Sequence, residues 1–165
     1  MSDTTALDAY LTGLRNQHAV ETQAIGTIQN QLTYTKSYPD LHARMEADHA
    51  RSTEQAARLD QLLDKHGSSK SLLKEAVSGA IGTVAGFAHV GSDDNVLKNT
   101  LAAIGFKAYE IASYKALIAL AKAAGAEGDT GTLERSLKEE QEMGDWLGEH
   151  LPGLVTAYLA QQTRG

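Results

Sequence analysis

Residues 5–32 read TALDAYLTGLRNQHAVETQAIGTIQNQL, and their spacing decides the fold. Leu7, Leu11, Leu14, His18, Glu21, Ile25, Ile28 and Leu32 follow one another in alternating steps of four and three. That rhythm lays them along one face of an α-helix. A histidine and a glutamate therefore sit inside an otherwise apolar stripe. An ionised group at such a position is costly unless it is paired or holds a metal.

Three further segments repeat the pattern. Tyr38-Pro39 opens a second helix, Pro39 being suited to the first helical turn, and Leu41, Met45, Ser52, Ala56, Leu59 and Leu63 mark its inward face up to Gly67. Asp48 falls in register between Met45 and Ser52, with His49 and Arg51 on its flanks. A third long helix runs from about Val96 to Ala124, ended by Gly125. In it Leu97, Ile104, Ile111 and Ile118 recur at heptad spacing, Lys107 and Tyr114 take the alternate seam positions, and Glu110 lies on the flank. The last helix starts near Thr130 and carries Leu133, Leu137, Glu140, Gly144, Leu147 and Leu151, with Pro152-Gly153 expected to break or kink it.

No useful strand-like alternation occurs, so the class is all-α. Short links join the first two and the last two helices, whereas Gly67 to Asn95 separates the middle pair. One long connection in the middle of a four-helix bundle is the ferritin-like arrangement. Within that connection Leu72, Leu73, Ala76, Val77, Ala80, Ile81 and Val84 suggest an additional crossover helix, weakened by Gly79, Gly82 and Gly86.

A length of 165 residues with 42% hydrophobic content suits a single domain, residues 1–165. Cysteine is absent, which removes disulfides and thiolate chemistry. A net charge of -6 argues against a nucleic-acid partner, because no basic stripe is present to displace phosphate counterions. The uncharged stretch from Ala76 to Ser92 is too rich in glycine and alanine for a membrane span, which needs about 20 strongly apolar residues. Met1-Ser2-Asp3-Thr4-Thr5 carries no basic and apolar secretory regions, so the expected location is cytoplasmic.

Two short motifs carry less than they suggest. Glu46-x-x-His49 has di-metal spacing, but Glu46 points away from the inward stripe. Ser71-x-x-Lys74 lacks the companion elements of an acyl-enzyme site.

Tyr109-Glu110-Ile111-Ala112-Ser113-Tyr114, Glu139-Glu140 followed by Met143, Asp145, Trp146 and Leu147, and Tyr38-Pro39-Asp40-Leu41 followed by Ala43-Arg44 together resemble the YciE/YciF family. This is a ferritin-like group associated with bacterial stress responses, and the chain is closer to its YciE branch. The resemblance extends to His18-Ala19-Val20-Glu21. It implies a ferritin-like four-helix bundle with a crossover helix, forming a homodimer, in a group with no established enzymatic activity. It also implies acidic metal-binding positions on all four core helices. Glu21, Glu110 and Glu140 stand where that pattern has glutamates, and Asp48 stands where a histidine is usual. Arg51 and Lys107 stand where glutamates belong.

Two cations in place of two anions would add several kcal/mol of repulsion within about 5 Å of a divalent ion, even at an effective dielectric near 20. The expectation is a non-catalytic stress-associated protein without cofactor, in which an ion-pair network involving Arg51 and Lys107 replaces the metals. The alternative is an iron or manganese carboxylate protein for oxidation or peroxide chemistry, using Glu21, Glu110 and Glu140 with His18 or Asp48. A third class is an interaction module burying the Gly79 to Gly91 element against a partner.

Overall fold

The computed structural model describes residues 3–68 and 96–163. Four long helices account for most of them: α1 (Asp3–Gln31), α2 (Pro39–Lys65), α3 (Val96–Ala123) and α4 (Thr130–Gln162). A single 3-10 turn, Glu127–Asp129, precedes α4, and no strand occurs among the described residues. The crossover helix, the Gly79 to Gly91 element and Ser71-x-x-Lys74 lie outside the described residues. No described helix is long and apolar enough to cross a membrane.

Helix ends fall where local chemistry puts them. Pro39 occupies the first turn of α2 beside Asp40, whose negative charge suits a helix N-terminus. At the other end Gly67 has φ +66°, a conformation that glycine adopts without strain. There the Gly67 N–H donates to the Asp64 carbonyl and the Ser68 N–H to the Leu63 carbonyl, at 3.0 Å each. Gly125, at φ +71°, closes α3 in the same way, with the Ala126 N–H donating to the Ala121 carbonyl at 2.8 Å. α4 is not broken at Pro152-Gly153, for it continues through the proline to Gln162. Leu154 and Tyr158 beyond the proline still pack on the core, which offsets the one lost backbone hydrogen bond.

The topology follows from the buried residue Asp129. Tyr10 of α1 donates to it, and so do Lys65 and His66 at the end of α2. The start of α1, the end of α2, the end of α3 and the start of α4 thus meet at one end of the bundle. α2 and α3 consequently run parallel, as a long middle connection requires. Each end has its own apolar cluster: Tyr10, Leu14, Leu59, Leu62, Leu63, Tyr114, Leu117 and Leu133 at the Asp129 end, and Ile28, Tyr38, Leu41, Met45, Val96, Met143 and Leu147 at the other. Between them lies a polar layer.

Candidate functional site

Each helix contributes to that layer from its inward stripe. α1 supplies Gln17 and Glu21, α2 supplies Asp48, Ser52 and Gln55, α3 supplies Lys107, Glu110 and Tyr114, and α4 supplies Ser136 and Glu140, all of them buried. Lys107 stands at the centre. Its Nζ lies 2.7 Å from Glu140 Oε2, 2.9 Å from Glu110 Oε2 and 3.2 Å from Asp48 Oδ2. Glu21 is held differently: the Tyr114 hydroxyl donates to its Oε1 at 2.7 Å and Gln17 Nε2 donates to the same oxygen at 3.0 Å.

The charges do not balance. Four carboxylates share one ammonium, in a region from which water is excluded. Burial, reinforced by the charge of Glu140, pushes the Glu21 carboxyl up to about 8. Burial also raises Asp48 and carries Glu110 well above the usual carboxylate range, against the opposing pull of Lys107. Burial disfavours the Lys107 charge, but Glu110, Asp48 and Glu140 more than offset it, so the ammonium is held far above its ordinary pKa. Several oxygens find no hydrogen-bond donor, among them Glu21 Oε2, Asp48 Oδ1, Glu110 Oε1 and Glu140 Oε1.

One oxygen from each of Glu21, Glu110 and Glu140 falls within 4.8 Å of the others. Two oxygens across a cation at about 2.1–2.2 Å are separated by about 4.3 Å, so a small contraction would let these three glutamates hold one divalent ion. A pair of ions does not fit. The dinuclear pattern needs four carboxylates and two imidazoles, no imidazole reaches this cluster among the described residues, and Lys107 Nζ fills the space between Asp48, Glu110 and Glu140.

Glu21, Glu110, Glu140, Asp48 and Lys107 are thus brought together, whereas two of the residues singled out from sequence are not. His18 sits at the partly exposed seam of α1 and α2, its Nε2 3.2 Å from Asp60. Arg51 is a correction to the expected network. Its guanidinium pairs with Glu142 at 3.1 Å with about a third of the side chain exposed, because its long stem carries the charge outward past the core position held by Ser52. Glu46 pairs with His42 on the surface. Glu110, placed on the flank from sequence, is fully buried. Gln17 and Gln55, both buried, do not stand out in the sequence, since a polar amide reads as an outward position in a hydropathy pattern.

Residues 5–160 match the family described as "Domain of unknown function (DUF892)". The chain belongs to this family. Solved structures support the same architecture: a Xanthomonas campestris protein is 24% identical over 96% of this chain and 99% of its own, with a TM-score of 0.79. The Rhodopseudomonas palustris protein YcfI is 25% identical over 87% and 92%, with a TM-score of 0.68. The Escherichia coli stress protein YciF is 22% identical over 92% and 97%, with a TM-score of 0.73. This DUF892 chain thus has a YciF-like fold, in keeping with its resemblance to the YciE/YciF family as a whole.

Proposed function

We infer that this DUF892 protein is a stress-associated, ferritin-like bundle in which an ion-pair network replaces the dinuclear metal centre, and that it is not an oxidase. The observation that carries the reading is Lys107 Nζ, within 3.2 Å of three carboxylates. An ammonium there supplies positive charge where a second ion would stand, without open coordination positions for dioxygen or peroxide. The stress role is supported by family membership and by the name of the E. coli neighbour. The network consists of Lys107 with Asp48, Glu110 and Glu140, and Arg51 is not part of it.

A second reading is favoured by the donorless oxygens of Glu21, Glu110 and Glu140. These three residues would hold one iron or manganese ion, hard cations that suit carboxylate donors. Such an ion would supply a Lewis acid and a one-electron couple. Around it, Tyr114 and Gln17 fix Glu21, and Lys107 fixes Glu110 and Glu140.

Elemental analysis of protein purified without chelator separates the readings. Metal-free, folded protein that takes up no iron or manganese supports the ion-pair network. One equivalent, lost in Glu110→Ala, supports the single-ion site. Two equivalents overturn both. Lys107→Glu restores an anion at the centre, and uptake rising by one equivalent is the expected result.

A further inference from the structure

Between the polar layer and the Tyr38 end of the bundle lies a cavity of about 60 Å³. Small side chains open it, for Ala24 of α1 and Ala103 of α3 line it where Glu21, Ile28 and Lys107 at neighbouring stripe positions are large. Met45 adds to its apolar wall, and Gln23, Thr27, Gln31 and Thr100 reach it. Asp48, Lys107 and Asn99 also line it. Asp48 and Asn99 are more than nine-tenths buried, and Asp48 Oδ1 and Asn99 Oδ1 have no donor.

Buried acceptors without donors are costly, and a cavity they line holds something that donates. At about 10–15 Å³ per water-sized centre, the space takes about four to six non-hydrogen atoms. Charge narrows the choice. Lys107 meets Asp48 on Oδ2 and shares its charge with Glu110 and Glu140, which leaves the Asp48 carboxylate only partly neutralised and its Oδ1 without a donor. A cationic head is therefore favoured over a neutral one, and an anionic head is repelled.

We propose that this cavity binds a short alkylammonium, whose chain lies among Ala24, Met45 and Ala103 and whose head donates to Asp48 Oδ1 and Asn99 Oδ1. The proposal rests on the reading that Lys107 neutralises the carboxylates only in part.

The test is a titration of chelator-treated, full-length protein with n-butylammonium, n-butanol and butyrate, followed by methyl NMR at Ala24, Met45 and Ala103. Saturable shifts with n-butylammonium, at least tenfold weaker affinity for n-butanol and no response to butyrate are expected. Asp48→Asn lowers n-butylammonium affinity at least tenfold, and Ala103→Leu, which fills the space, abolishes binding. Absence of saturable shifts with n-butylammonium, equal affinity for n-butanol, or full binding by folded Asp48→Asn overturns the proposal. If Asp48→Asn does not fold, retained binding by Ala103→Leu overturns it instead. Elemental analysis of the untreated protein reports on the ion-pair reading separately, because the titration is carried out without metal.

Discussion

Lys107 and Asp129 are both buried, charged and multiply bonded. Removing Lys107 leaves Asp48, Glu110 and Glu140 with no buried cation. Breaking a buried network at one partner costs about 3–5 kcal/mol, so Lys107→Met should lose about that much in urea unfolding at neutral pH. Glu21 adds a pH dependence of its own. Its folded pKa of about 8 lies above the ordinary 4.5, so the folded state holds a proton the unfolded chain has released, and stability falls as pH rises between those values. Glu21→Gln should flatten that decline in a series of melting temperatures from pH 5 to 8.5. At Asp129, burial is outweighed by donation from Lys65, His66 and Tyr10, which lowers the pKa. Its contribution is present above the ordinary value of 3.8 and lost as pH falls through the lower folded one. Asp129→Asn should cost about 2–3 kcal/mol at neutral pH, the size of one or two charge-assisted hydrogen bonds, and should shrink the acid-side loss below about pH 4 in the same series.

At the scale of the helix, sequence spacing located the four long helices and part of each inward stripe. Leu14, Glu21 and Ile28, Met45, Ser52 and Leu59, Lys107 and Tyr114, and Leu133, Glu140 and Leu147 are inward and buried as read. In α2 Leu41, Asp48 and Leu63 are buried as read as well, whereas several other alternate positions are displaced by one residue. Tyr10, Gln17 and Ala24 are buried rather than Leu11, His18 and Ile25, Gln55 rather than Ala56, Glu110 and Leu117 rather than Ile111 and Ile118, and Ser136 and Met143 rather than Leu137 and Gly144. At Gln55, Glu110 and Ser136 a hydropathy reading favours the apolar neighbour, and a bundle with a polar middle layer makes the other choice. The displacement hid Gln17 and Gln55, and it moved Glu110 from the centre to the flank. Glycines inside the helices offer a test at the same scale. A Cβ at Gly26 meets nothing within 4 Å, whereas one at Gly13 comes 2.8 Å from Leu117 Cδ2. Gly26→Ala should stabilise by about 0.5–1 kcal/mol through backbone entropy, visible as a rise of about 1–4 °C in melting temperature. Gly13→Ala should gain less, because Leu117 must repack.

Across the whole molecule, the two apolar clusters suffice to define a bundle, and the layer between them is a poor choice for stability alone. Replacing a buried ionic set by apolar side chains of similar volume is often neutral or stabilising by about 1–4 kcal/mol, although each single removal is costly. The five changes Glu21→Leu, Asp48→Leu, Lys107→Met, Glu110→Leu and Glu140→Leu, made together, remove every buried charge of the layer. The combined variant should unfold at a higher urea concentration than the natural chain, while Lys107→Met alone unfolds at a lower one. Neighbouring groups in one network are strongly non-additive, so the sum of the single changes should overstate the cost and give the wrong sign for the combination. Leu59→Ala and Leu147→Ala, one in each apolar cluster, provide the contrast: each should cost about 2–5 kcal/mol, and the pair should be additive. A combined variant less stable than the natural chain would mean that the polar layer holds the bundle together, and its charges would need no functional explanation. A more stable variant that has lost affinity for metal or alkylammonium would mean that stability is given up to keep four carboxylates and a lysine at the centre.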